Sequence, residues 1–163
     1  MKGKVIIFTG DGKGKTTASL GMALRALGHG KKVVIIQFLK KGEYGETKSG
    51  ILEIHQFGKE KFVFEPKKED FEEAKKAMKF AREALRRKPF MLILDEINVA
   101  MALKLVPIEE VVKLIEEREE THMVLTGRNA PKKIIRIADL VTEMKKIKHY
   151  YDKGIEAIEG LEY

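Results

Sequence analysis

Short unbroken apolar runs alternate along this chain with stretches whose apolar residues recur every three or four positions. Val5-Ile6-Ile7-Phe8, Val33-Val34-Ile35-Ile36, Phe90-Met91-Leu92-Ile93-Leu94 and Met123-Val124-Leu125 have the length and content of strands buried on both faces. Leu52, Ile54 and Gln56 alternate with Glu53, His55 and Phe57, which predicts a strand of mixed exposure, and Leu140-Val141 begins a last one. Between these runs the period changes. A helix is expected from the end of a Gly-rich segment to about Leu27, with Leu20, Ala23, Leu24 and Leu27 on its inner face and Gly28 as its stop. Phe71, Ala74, Met78, Ala81 and Leu85 mark an amphipathic helix. Pro107 opens a helix that turns Val111, Leu114 and Ile115 inward, and a short one runs from Pro131 to about Ala138. Residues 39–50 read as a loop, as do residues 58–68 with Lys59, Lys61, Phe62, Phe64 and Pro66. Strands alternating with helices, with no repeat and no linker, predict one α/β domain over residues 1–163 with a mostly parallel sheet.

Composition narrows the chemistry. With 163 residues, 44% hydrophobic and 35% charged, the chain is neither disordered nor collagen-like. The absence of Cys excludes disulfides, thiolate metal sites and thiol nucleophiles together. No apolar run reaches the roughly 18 residues of a membrane span, and Met1-Lys2-Gly3-Lys4 leads straight into a strand. The expectations are therefore no signal peptide, no membrane and a cytoplasmic location. Basic residues outnumber acidic ones by 32 to 25, a net charge of +7. That surplus attracts polyanions, although interleaved Lys and Glu also suit a plain solvated surface.

The candidate chemistry lies in Thr9-Gly10-Asp11-Gly12-Lys13-Gly14-Lys15-Thr16-Thr17, between a strand and a helix. A phosphate cradle needs a Gly-rich turn with inward N–H groups, a helix N-terminus, a Lys for charge and a hydroxyl for Mg²⁺. Gly14-Lys15-Thr16 closes the consensus, and Thr9 stands where its first Gly would be. Asp95 and Glu96 end an apolar strand, where a P-loop protein places further metal contacts. Arg128, after another strand, is a candidate phosphate or substrate contact. His29, His55, His122 and His149 show no metal-ligand spacing, and His29 is expected at the end of the first helix.

Several further runs carry a family resemblance. They are Ala23-Leu24-Arg25-Ala26-Leu27-Gly28-His29-Gly30, Gln37-Phe38-Leu39-Lys40, Leu94-Asp95-Glu96-Ile97-Asn98, Leu125-Thr126-Gly127-Arg128, Ala138-Asp139-Leu140-Val141-Thr142-Glu143-Met144 and Gly160-Leu161-Glu162-Tyr163. With the Gly-rich loop, they make the chain resemble the P-loop class of ATP:cob(I)alamin adenosyltransferases over nearly its whole length. The resemblance implies a RecA-like P-loop NTPase fold. It also implies transfer of the 5′-deoxyadenosyl group of ATP to the Co(I) of a reduced corrinoid, either cobalamin or cob(I)yrinic acid a,c-diamide, with triphosphate released. By resemblance ATP lies reversed in the loop, Lys15 and Glu96 are catalytic, and Thr16, Asp95 and Glu96 hold Mg²⁺, or Mn²⁺ in its place. Phe62 and Phe64 stand where the family has an aromatic pair thought to displace the lower axial cobalt ligand. A homodimer and a flavin-type reductase or other electron donor are implied in the same way. The sequence departs from relatives that carry an N-terminal helix over the site, that have Gln where Ile158 stands, or an aromatic at Val99. A small P-loop kinase and a nucleotide-switched protein holding nucleic acid on its basic loops are the alternatives. Neither a recognition helix nor an aromatic RNA motif supports the second.

Overall fold

The computed structural model describes residues 1–59, 63 and 65–163. In chain order the elements are β1 (Val5–Thr9), α1 (Lys15–Gly28), β2 (Val33–Phe38), α2 (Gly45–Lys48), β3 (Glu53–Phe57), α3 (Lys68–Arg86), β4 (Met91–Asp95), α4 (Ile97–Ala102), α5 (Ile108–Glu116), β5 (His122–Thr126), α6 (Lys132–Ile137) and β6 (Leu140–Glu143), followed by a 3₁₀ turn, Tyr150–Lys153. The strands form one parallel sheet in the order β3-β2-β4-β5-β1-β6. This is the expected α/β architecture, and it is consistent with a P-loop NTPase-like fold.

Both faces of the sheet are covered, which is why its central strands read as unbroken apolar runs. Successive side chains point to opposite faces. Val5, Ile7, Val34, Ile36, Leu92, Leu94, Met123 and Leu125 pack with α3, α4, α5 and α6 on one face. Phe8, Val33, Ile35, Met91, Ile93 and Val124 pack against Ala23 and Ala26 of α1 on the other. The alanines of α3 (Ala74, Ala77, Ala81 and Ala84) let that helix lie close to the sheet.

Local details differ from the sequence expectations. The α1 helix includes Gly28, and its left-handed terminator is Gly30, at φ +66°. His29 caps that helix through its backbone N–H, which donates to Ala26. Leu24 is 59% exposed, so the inner face of α1 is carried by Ser19, Ala23 and Ala26. Phe71 is likewise half-exposed at the edge of the α3 stripe. The segment 39–50 contains the single turn α2, and Ile97–Ala102 forms the unforeseen α4. That segment is too short and too uniformly apolar for its period to show.

Among the described residues no helix is long and apolar enough to cross a membrane.

Candidate active site

Phosphate-loop strand β1 and acid-ended strand β4 are not neighbours; β5 lies between them. All three carboxyl ends open on the same edge, where parallel sheets place ligands. From β1 the chain enters the loop at Thr9, which is buried and whose hydroxyl accepts from the Ala130 N–H at 3.2 Å. Gly10 follows at φ +98°, and a Cβ there would sit 2.4 Å from the Met144 carbonyl oxygen. The loop therefore needs glycine at this position twice over, for its dihedral and for its clearance. Asp11 accepts from the Lys146 N–H, and Gly12 donates to Met144 at 2.7 Å, tying the loop to the segment after β6. Gly14, at φ +109°, caps α1 and aims the first free N–H groups of the helix into the loop. Lys15 turns back over the loop, its Nζ 2.6 Å from the Gly12 carbonyl. Lys13 and Thr17 are exposed, and both line the cavity at the loop.

The hydroxyl of Thr16 donates to Asp95 Oδ1 at 2.7 Å. Asp95 is only 1% exposed and is the hub of the site. Its Oδ1 also accepts from Thr126 at 2.6 Å, and its Oδ2 accepts from Lys40 at 3.1 Å and Gln37 at 3.3 Å. Thr126 does double duty, because its oxygen accepts the Glu96 N–H at 3.0 Å. Glu96 itself is in the left-handed region, at φ +64°. Gln37 is held in turn by Gln56, whose Nε2 donates to Gln37 Oε1 at 2.9 Å and whose oxygen accepts from the Gly42 N–H. A buried polar chain thus runs from the phosphate loop to the outer strand.

Charge is concentrated around this hub. Burial, reinforced by the neighbouring Asp95 carboxylate, raises the Glu96 carboxyl above the ordinary Glu range, while Lys40 and Lys15 pull it back. Burial lowers the Lys15 ammonium below its usual value, with Glu96 opposing. Burial also works against the Lys40 charge, but Asp95 and Glu96 outweigh it and raise that group.

The predicted residues therefore gather at one place: the loop 9–17, Asp95 and Glu96 meet at the sheet edge. Arg128 is exposed beside the loop, lining a cavity with Asp11, Lys13 and Lys15. Phe62 and Phe64 lie outside the described residues. Among the described residues, no group of three His, Cys, Asp or Glu side chains gathers as a metal cage. The oxygens on the phosphate cavity include the Thr16 hydroxyl and the Glu96 and Glu46 carboxylates, with Asp95 behind Thr16. That hard, sparse set suits Mg²⁺, which keeps waters and substrate phosphate oxygens in its shell.

Sequence reading missed Gln37, Lys40, Gln56 and Thr126. Alternation could have found three of them. Val33, Ile35 and Gln37, Met91, Ile93 and Asp95, Val124 and Thr126, and Ile54 and Gln56 all continue the α1-facing side of their strands to the carboxyl end.

A cavity of about 430 Å³ opens on Lys15, Thr16, Lys40 and Glu96. A more apolar one of about 540 Å³ adjoins it along Leu39, Tyr44 and Ala157, and Lys40, Glu162 and Tyr163 line both.

Comparison with known proteins places this geometry. The family described as ATP:corrinoid adenosyltransferase BtuR/CobO/CobP matches residues 1–163. A corrinoid adenosyltransferase of Sinorhizobium sp is 40% identical over 99% of this chain and 81% of the relative. Those of Escherichia coli K12 and Salmonella typhimurium are 36% and 35% identical, each over 99% of this chain and 86% of the relative. With the family matched from end to end and its phosphate loop assembled in space, the chain belongs to the ATP:corrinoid adenosyltransferases.

Proposed function

We propose that this chain moves the 5′-deoxyadenosyl group of ATP onto the Co(I) of a reduced corrinoid and releases inorganic triphosphate. One observation carries the reading: in a chain matching this family end to end, a cationic phosphate cradle opens directly onto a larger, more apolar cavity. In the transfer the Co(I) electron pair forms the Co–C bond to C5′. The C5′–O bond breaks, and its electron pair leaves with the triphosphate. Charge thus grows on the departing oxygen, and the protein's task is to hold that charge.

Residues 10–16 would take the triphosphate. Their N–H groups and the α1 N-terminus favour anions, and Lys15 would turn from the Gly12 carbonyl to a phosphate oxygen. Lys13 and Arg128 add positive charge at the rim. Thr16 and Glu96 would hold Mg²⁺, or Mn²⁺ in its place, with Asp95 orienting Thr16 from behind. When bound, that ion neutralises triphosphate charge. Lys40, raised by Asp95 and Glu96 against its partial burial, pairs with the Asp95 carboxylate at 3.1 Å and offsets its negative charge behind the site. Phe62 and Phe64 are assigned to the corrinoid side by resemblance. Co(I) requires an electron donor, for which a flavin-type reductase is one class. A single domain working as a cytoplasmic homodimer completes the reading.

The test is an anaerobic mixture of protein, Mg·ATP and chemically reduced cobalamin, followed by absorbance and phosphate analysis. A light-sensitive corrinoid with one triphosphate per transfer is expected. ADP formed with an unchanged corrinoid would overturn the reading and indicate a kinase.

A further inference from the structure

Residues 158–163 do more than follow the last turn. Lys13, an exposed residue of the phosphate loop, donates to the Leu161 carbonyl at 2.7 Å and pairs with the Glu162 carboxylate at 3.1 Å. The same carboxylate accepts from the Tyr150 hydroxyl and from the Ile158 N–H, at 2.8 Å for the latter. The Ile158 N–H, with Lys13 adding to it, holds Glu162 below the ordinary Glu range, so it stays ionised in this clasp. Its effect is to hold Leu161 and Tyr163 in the lining of the phosphate cavity.

That cavity is polar where it meets Lys15, Thr16 and Glu96. Its larger apolar side chains are Leu20, Leu161 and Tyr163. Leu20 stands one turn beyond Thr16 on α1, on the same face. A triphosphate in the loop needs none of these three, but a purine does, because its faces are apolar and its stacking partners are flat rings. Tyr163 meets a second condition. Transfer requires C5′ to sit where the two cavities join, and Tyr163 lines both. A nucleoside resting on it has its phosphate end in the cradle and its 5′ carbon at the doorway.

We propose that Leu161 and Tyr163 form the nucleoside wall of the ATP site, with the Tyr163 ring against adenine, and that Glu162 is the positioning residue that clasps this wall to the phosphate loop. The proposal rests on the adenosyl-transfer reading above. Leu161 and Tyr163 are 60% and 44% exposed, so replacing them leaves the core intact.

Calorimetry with two probes, Mg·ATP and Mg·tripolyphosphate, separates the halves of the ligand without any corrinoid. Tyr163→Ala should weaken Mg·ATP about tenfold, the loss expected for one base–aromatic stack, and leave tripolyphosphate within about twofold. Tyr163→Phe should restore ATP binding. Glu162→Gln should weaken ATP severalfold while tripolyphosphate binds as well or better, because a carboxylate beside Lys13 is gone. A general structural role would weaken both probes alike. Equal weakening, or ATP binding unchanged in Tyr163→Ala, would overturn the wall while leaving the enzyme reading intact. Wild-type protein that binds neither probe would overturn the adenosyl-transfer reading and the wall with it.

Discussion

Thr126→Val tests the carboxylate hub most directly, because it changes one atom type at nearly constant shape. Thr126 is fully buried; its hydroxyl donates to Asp95 Oδ1 at 2.6 Å and accepts from the Glu96 N–H at 3.0 Å. Val keeps the volume and removes both bonds. The Glu96 N–H is then left without a partner, while Asp95 Oδ1 retains Thr16. An unsatisfied buried polar group costs about 1–3 kcal/mol, so the orphaned N–H at mid-range and the weakened carboxylate at the low end sum to about 3 kcal/mol. For a chain of this size each kcal/mol moves Tm by roughly 2–4 °C, a fall of roughly 6–12 °C. Thr126→Ser keeps the hydroxyl and loses one methyl, which costs about 1 kcal/mol. Thermal unfolding of both variants, followed by circular dichroism, reads the difference. If Val and Ser fall by the same amount, the hydroxyl bridge carries no weight and the hub argument is wrong.

Two further outcomes follow from backbone and charge. Gly10→Ala combines an unfavourable φ with a Cβ 2.4 Å from a carbonyl oxygen, and urea unfolding should show a loss of about 2 kcal/mol or more. Gly21→Ala on the exposed side of α1 meets nothing within 4 Å and should gain about 0.5–1 kcal/mol, so equal effects at the two glycines would refute the account. Asp139 accepts the Val5 N–H at 2.8 Å and pairs with Lys4; the Val5 N–H first and Lys4 after it hold its carboxyl below the usual Asp range. A depressed acid contributes stability above its unfolded value of about 3.9 and loses it as pH falls through the folded value. Asp139→Asn should therefore be less stable than wild type at pH 7, with the gap closing below about pH 4. Urea melts across that range that show a constant gap would contradict the assignment.

Much of this molecule was legible in one dimension. Apolar runs that fill both faces of a strand specify a parallel sheet covered on both sides, and Pro107 and Pro131 mark the starts of α5 and α6 to within a residue. The phosphate loop is local chemistry: three glycines at alternate positions, Gly10, Gly12 and Gly14, followed by Lys15 and Thr16, lie between one strand and the next helix, so their order in the chain is their order in space. The helix α4 was not legible, since six mostly apolar residues have no measurable period. Nor was the place of Leu24, because how far round a helix the core extends depends on what packs against it.

Sequence determined the strand–helix alternation, the phosphate cradle and the acids that close β4. Only the tertiary structure decided that β5 lies between β1 and β4, which makes Thr126 the bridge from Thr16 and Asp95 to Glu96. It also decided that Lys40 and Gln37 meet Asp95, and that residues 158–163 return to Lys13. Strand order, and contacts between residues thirty or more positions apart, are settled by which packing of the whole chain buries the most apolar surface while leaving the fewest polar groups unpaired. No local pattern carries that sum.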